Sequence, residues 1–436
     1  MADDFIGGVA INPTGGGGGG GGSGIYQVPS NIDPTGVKDS TAGLQAAFNN
    51  VTAPVYIPPG DYSTTGLTIP ANATILGFNS QSYGPAQTTG QRSRIFLAAG
   101  STKPLISTDD TTVVATNIRL RDLWLDGNFV GPDCLVFGNL SSNTDRFSYV
   151  ERCYITNGGT ESGAAGISGE AAYIGTNVST VKLFQCVIKW QSTTSLTSGE
   201  GIRVSGNNIN IDSCLVGSFQ GSSNPSGIDL GSGWDSRVVN CDVFDCSRGI
   251  TVAGFGQVVS DCGLDHHIQM AILCYSGYST ISNNHFHSNS QGGSGGSPDI
   301  DVANNNTIGL VVEGNNFAPL DGGITNLVSY AVSQAGTGNL LIIRNNSYAP
   351  GRATLGETNY TGIQTTPAIP ASGTAFAALA YDADWIFTDT STGTSVVVDG
   401  ITHDIAASST QSIFVRAGAA PTPTYTTAPT LAVINR

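Results

Sequence analysis

The residues best placed for acid–base chemistry are two carboxylates two positions apart, Asp299 and Asp301. On one extended strand they would project from the same face, with Cα atoms about 6.6 Å apart. That lies inside the roughly 5–9.5 Å range in which a carboxyl pair can work on a glycosidic bond. A solvated strand edge or a cation site is the plainer alternative. A second candidate is the run Asp265, His266, His267, because an imidazole beside a carboxylate can relay a proton. A polar loop would look the same. Arg203 and Asp229 can bind a charged ligand or simply pair with each other. Glu200 and Trp234 flank them, and the Trp234 ring is either a flat platform for a sugar or a packed core group. No C-x-x-C pair occurs among the eight Cys, and no metal ligands are assigned.

These residues are positioned by a repeat. The template apolar–x–x–[Leu/Cys/Asn]–x–apolar recurs with central residues Leu123, Cys153, Cys186, Cys214, Cys241, Cys262, Asn284, Asn315 and Asn346. Their spacings are 30, 33, 28, 27, 21, 22, 31 and 31 residues. A unit of that length marks a solenoid. The two apolar positions are five apart, so a straight strand would send them to opposite faces. Both can face a core only if the chain bends between them. Asn suits a bend because it tolerates left-handed backbone angles. The three Asn are expected to exchange amide hydrogen bonds between rungs, and the five Cys to form a buried stack of small side chains.

A further strand follows each bend, with Ile202, Ile228, Ile250, Ile272 and Ile300 at spacings of 26, 22, 22 and 28. Three short strands per turn is the simplest assembly. The outward column of this strand carries Arg203, Asp229, Thr251, Leu273 and Asp301. Asp229 and Asp301 are then three rungs apart, about 14 Å, too far for a glycosidase pair.

Charged residues make up 11% of the 436, Gly numbers 58, and the net charge is 17 − 32 = −15. Such a chain favours strands and turns over helices. It lacks the basic clusters of a nucleic-acid surface and any apolar run that could span a bilayer. The N-terminus has no secretory pattern, so synthesis in a host cytoplasm is expected. Residues 1–24 contain the run Gly15 to Gly22 and read as a flexible arm, whose Phe5, Ile6, Val9 and Ile11 either dock on another protein or stay unstructured. Residues 25–116 are read as a cap and the first rungs, 117–350 as the central solenoid, 351–365 as a linker and 366–436 as a small β-sandwich-like domain. Asp39 or Ser40 is expected to cap a helix whose Leu44, Ala47 and Phe48 share a face.

Residues 32–77 resemble the opening of the pectate-lyase-like superfamily of right-handed parallel β-helices. The matching residues are Gly36 to Thr41, the helix through Leu44 to Phe48, and Val55-Tyr56-Ile57-Pro58-Pro59-Gly60-Asp61-Tyr62. Where the superfamily has a second acidic residue, this chain has Ser40. The resemblance implies an all-β solenoid with an N-terminal capping helix, and substrates lying along the outer face of the strand that carries Ile202 to Ile300. It implies little about activity, since lyases, hydrolases, epimerases and phage tailspikes share the motif. A lyase of this kind would need a basic residue with clustered carboxylates for Ca²⁺, a set the sequence does not display; Ca²⁺ is the one ion the resemblance allows. The run Thr422, Tyr425, Pro429, Thr430 is similar to C-terminal modules of trimeric phage and cell-surface β-helix proteins.

These features together suggest a homotrimeric virion spike, attached to the particle through residues 1–24, that binds a host capsular polysaccharide. The Ser-, Gly- and Gln-rich loops 189–200, 217–226 and 287–298 suit sugar hydrogen bonding, or are tolerated insertions. A depolymerase on the same scaffold ranks second and a purely structural virion component third.

Overall fold

The structure, a computed structural model, describes residues 24–78, 92–108, 117–131, 133–138, 147–158, 172–175, 178–191, 199–221, 223–275, 277–289, 298–303, 309–318, 341–348, 369–376, 383–388, 394–416 and 419–435, together with the strand backbones at 5–6, 9–10, 160–161, 196–198 and 332–334. The Gly run 15–22 and the segment 351–365 lie outside the described residues.

The chain is a right-handed parallel β-helix with three sheets. A pre-bend sheet of twelve strands runs from Tyr26–Gln27 to Leu341–Arg344, and a post-bend sheet of twelve from Thr35–Asp39 to Ser347–Tyr348. The third sheet has ten strands, Leu67–Ile69 to Val332–Gln334. Each strand pairs in parallel with its equivalent one turn away. This stacks Leu183, Ile211, Val238, Val259, Ile281, Val312 and Ile343 in one inward column. Ile202, Ile228, Ile250, Ile272 and Ile300 form another. These columns are buried and belong to one continuous core.

The corner residue differs from the expectation. The left-handed backbone belongs to the residue before the Cys or Asn: Arg152, Gln185, Ser213, Asn240, Asp261, Asn283 and Asn345 have φ of 50–57°. A single left-handed residue reverses the strand's alternation, so the next side chain points inward. At that inward position the backbone N–H has lost its strand partner, and a side chain one rung on accepts it. Cys214 N–H donates to Cys241 Sγ at 3.4 Å, and Cys262 N–H to Asn284 Oδ1 at 3.0 Å. Asn284 N–H donates to Asn315 Oδ1, and Asn315 N–H to Asn346 Oδ1, each at 2.9 Å. The amide Nδ2 of Asn284 also donates to Asn315 Oδ1 and to Val259 O. The position therefore selects a small side chain that can accept a hydrogen bond, which explains why Cys and Asn share it.

The other two corners follow the same rule. Between the post-bend and third sheets, Ser218, Asp245, His266 and Ser288 are left-handed, and Phe219, Cys246, His267 and Asn289 point inward. Cys246 N–H donates to His267 Nδ1, and His267 N–H to Asn289 Oδ1, both at 3.3 Å. Between the third and pre-bend sheets, Asn208, Asp235, Gly256 and Tyr278 are left-handed. There Ile209 N–H donates to Ser236 Oγ, and Gln257 N–H to Ser279 Oγ. All eight Cys are buried and free among the described residues. Burial pushes the Cys153 and Cys214 thiols well up and Cys246 to about 12, so they pack as neutral groups.

The helix Thr41–Phe48 covers the open end and buries Leu44, Ala47 and Phe48. Asp39 is the residue that caps it, accepting from Thr41 N–H at 2.9 Å, while Ser40 makes no side-chain cap bond. Gln45 stands in for a missing strand: its Nε2 donates to Thr68 O and its Oε1 accepts Thr68 N–H, each at 2.8 Å. That closes the edge of the third sheet, which would otherwise present unpaired backbone.

Toward the C-terminus, two three-stranded antiparallel sheets enclose Trp385, Phe387, Val396, Val398, Ile413 and Val415. Asp399 and Gly400 both have positive φ, 50° and 79°, and close a two-residue hairpin between Thr394–Val398 and Ile401–Ile405. Thr422–Tyr425 is an edge strand, which is where Pro423 can sit without costing a ladder bond.

Candidate functional site

With the inward positions committed to core and corner ladders, ligand chemistry is left to the outward columns. The third sheet's outward column runs Tyr173, Arg203, Asp229, Thr251, Leu273, Asp301 in register. Arg203 and Asp229 are adjacent, as expected, and Asp229 is three rungs from Asp301. Thr251 and Leu273 are buried despite facing outward, so this column is not one open cleft. Glu200 accepts the backbone N–H of Ser226, and Ser226 Oγ lies 2.8 Å from Thr251 Oγ1. Glu200 thus fastens the start of a rung.

The structure does not bring Asp299 and Asp301 onto a common solvent face. The strand begins at Ile300, and Asp299 precedes it, fully buried. Its Oδ1 accepts from Asn289 Nδ2 at 3.0 Å. The same column holds Gly201, Gly227, Gly249 and Ala271, so it points inward, against the corner ladder. A Cβ at Gly227 or Gly249 would meet Cys246 or the His267 ring, so this position faces the interior although its neighbour Ile300 does too. His267 is likewise internal and fully buried. Burial holds its imidazole down to a pKa of about 3, so it is neutral and cannot touch a surface glycan.

Among the described residues, two accessible outward regions hold grooves. The first flanks the corner between the third and pre-bend sheets. Trp234 is 60% exposed and Phe255, one rung on, 53% exposed, with ring centroids 6.2 Å apart. Beside them a groove of about 310 Å³ is lined by Tyr149, Lys182, Asn208, Asn210, Asp235 and Arg237 among others. Tyr149, Lys182, Asn210 and Arg237 are one outward column on four successive rungs. Trp234 is tied to the groove wall: its N–H donates to Asn207 Oδ1, and its carbonyl accepts Asn208 N–H, both at 2.8 Å. Asn210 Oδ1, at the groove wall, is itself buried and has no hydrogen-bond partner among the described residues. The second region is a groove of about 450 Å³ on the post-bend sheet, lined by Asp242, Phe244, Asp265, His285 and His287 among others. Here Asp265 meets His266, as the sequence suggests, and also His287, whose Nδ1 lies 3.1 Å from Asp265 Oδ1. By contrast, the same sheet is closed toward the N-terminus, where Trp124 and Tyr154 stack at 5.5 Å, are buried, and have Arg92 above the Trp ring.

Sequence reasoning did not find Phe255, Lys182, Asn210, Arg237, His285 or His287. Their signal is register: His287 follows Asp265 by 22 residues, one rung.

Ca²⁺ takes a shell of oxygen ligands. Among the described residues, Asp265, His266 and His287 are the one group of three side chains whose ligand atoms converge, and its two imidazoles do not suit that ion.

No protein-family profile matches the chain, and no curated protein matches it. Solved structures do. ORF18 of Geobacillus virus E2 superposes with a TM-score of 0.55 at 13% identity, covering 94% of this chain and 77% of that one. The enzymatically active domain of tailspike protein 2 from bacteriophage CBA120 gives 0.51 at 11% identity, over 89% and 70%. The A-module of the mannuronan C-5 epimerase AlgE6 from Azotobacter vinelandii gives 0.51 at 16% identity, over 76% and 96%. The chain therefore has a parallel β-helix fold, in common with ORF18, tailspike protein 2 and the epimerase module. Among the described residues no helix is long and apolar enough to cross a membrane.

Proposed function

We propose that the protein is a receptor-binding spike of a phage or phage-like particle that holds a host-surface capsular polysaccharide along its β-helix. The observation that carries this reading is the exposed Trp234–Phe255 pair on consecutive rungs beside a polar groove. Two aromatic faces offer stacking surfaces to sugar rings. The groove supplies complementary charge: Arg237, and Lys182, which pairs with Asp212 at 2.8 Å, suit the carboxylate of an acidic sugar. A linear polymer matches a surface that repeats along one axis. The fold shared with ORF18 and tailspike protein 2 supports placement on a virion. In the same reading the chain is a homotrimer, bound to the particle through residues 1–24. Binding ranks ahead of cleavage because Asp299 is buried away from Asp301.

The test is binding of purified host capsule and its oligosaccharides to the wild type, Trp234→Ala and Trp234→Ala/Phe255→Ala. Loss of one stacking face of about 1 kcal/mol weakens a monovalent oligosaccharide about fivefold. An unchanged affinity in the double variant would remove this face from the proposal. Failure of the wild type to bind any host glycan would remove the function. Release of new reducing ends or unsaturated uronates would make the protein a depolymerase instead. Sedimentation as a monomer would contradict the trimer.

A further inference from the structure

We propose that Asp265, His266 and His287 form a binding site for one divalent transition-metal ion of the Zn²⁺ class, with a coordination position open to the post-bend groove. One ligand atom from each residue lies within 4.8 Å of the other two. A tetrahedral ion bound at about 2.0–2.2 Å needs its ligand atoms roughly 3.3 Å apart. The His287 Nδ1 to Asp265 Oδ1 distance is already 3.1 Å, and His266 Nδ1 faces the same carboxylate oxygen. Two imidazole nitrogens converging on one carboxylate is the arrangement a cation would organise.

The scaffold holds all three ligands without a loop rearrangement. Asp265 is the last residue of the strand Gly263–Asp265. His266 is the left-handed corner residue, φ 55°, so its ring projects outward while His267 turns in. His287 ends the strand His285–His287, in register with Asp265. Ligands on adjacent rungs of a parallel sheet are fixed by the inter-strand spacing of about 4.8 Å, so little ordering cost remains for the ion.

The donor set chooses the ion. Two nitrogens and one carboxylate oxygen suit Zn²⁺, Ni²⁺, Cu²⁺ or Fe²⁺, whereas Ca²⁺ and Mg²⁺ prefer all-oxygen shells. Three protein ligands leave a fourth position. It faces the groove of about 450 Å³, where His285 stacks on His287 with ring centroids 6.4 Å apart and Asp242 lines the wall. Water or an oxygen atom of a bound ligand can occupy it. The site stands on a different sheet from the Trp234 groove and does not depend on the glycan proposal.

The experiment uses the full chain without a histidine tag, stripped with EDTA and then exposed to Zn²⁺ or Co²⁺. The expected results are one ion retained per chain after desalting, visible Co²⁺ absorption, and no displacement by excess Ca²⁺ or Mg²⁺. His266→Ala and His287→Ala should each weaken Zn²⁺ binding by at least ~10-fold, while His403→Ala in the C-terminal sheets leaves it unchanged. Should an alanine variant melt below the wild type in EDTA, His287→Gln, which keeps the side-chain bulk, repeats the measurement. Substoichiometric Zn²⁺ on the wild type, or full retention by folded His266 and His287 variants, would overturn the site and leave a hydrogen-bonded His–Asp–His cluster.

Discussion

His267 should make the β-helix lose stability in mild acid, and the size of the loss follows from its place in a corner ladder. The imidazole is fully buried, Nδ1 accepts Cys246 N–H, and the proton therefore sits on Nε2. That atom has no hydrogen-bond partner among the described residues and lies 2.6 Å from where a Cβ on Gly249 would stand. Burial lowers the folded pKa from 6.5 to about 3, outweighing the opposing pull of the Asp265 charge. The folded pKa is depressed, so between pH 6.5 and 3 the unfolded chain binds the proton and the folded chain does not. Stability is then complete above pH 6.5 and falls as the pH drops below it. Linkage gives a loss of about 2 kcal/mol on going from pH 7.5 to 5. The comparison is His267→Asn, since Asn289 fills the equivalent position one rung on and an amide oxygen can accept the same N–H. In urea titrations at both pH values, with EDTA present, the wild type should lose about 2 kcal/mol more than the variant. The other four His are common to both proteins and cancel. Equal losses would refute the reasoning, because they would mean that His267 either reaches solvent or is protonated in the folded state.

Gly249→Ala should destabilise the same corner by about 1–3 kcal/mol, read as a lowered Tm, because the new Cβ meets Ala271 O and the His267 ring. Asn315→Ala removes four hydrogen bonds, two accepted from Asn284 and two donated to Ile281 O and Asn346 Oδ1. It should cost about 3 kcal/mol in urea unfolding, and Asn315→Cys, which restores an acceptor already used at Cys241, should recover part of it. None of the eight Cys should react with iodoacetamide in the native protein, and all should react in denaturant, as counted by mass spectrometry; prompt labelling of Cys214 or Cys262 would contradict the buried ladder.

The solenoid was legible because its core is periodic. An apolar residue three before and two after each Cys or Asn can only be a corner, and the register bears this out through Leu183, Ile211, Val238 and Val259. The Asn amide ladder was legible for the same reason. The left-handed residue was misplaced by one because its side chain faces solvent and varies among Arg, Gln, Ser, Asn and Asp, leaving no repeated letter to see. The ladder residue repeats because the inward position restricts it.

That asymmetry also decides what could be read of the site. An inward residue answers to its neighbours above and below, so its type recurs at each rung and betrays the fold. An outward residue answers to a ligand if there is one, and nothing requires it to recur. Asp299 and Asp301 look like a pair by strand alternation alone, yet Asp299 is fully buried and bonded to the inward Asn289. His266 and His267 looked equivalent, but a single left-handed φ sends one ring out to Asp265 and the other into the core. Conversely, His287 lies 22 residues from Asp265 and became its neighbour only once the rung length was known. In a parallel β-helix, then, candidate chemistry is found by aligning rungs and reading outward columns across them. Spacing along the chain can show which residues share a strand, whereas the columns show which ones can share a ligand.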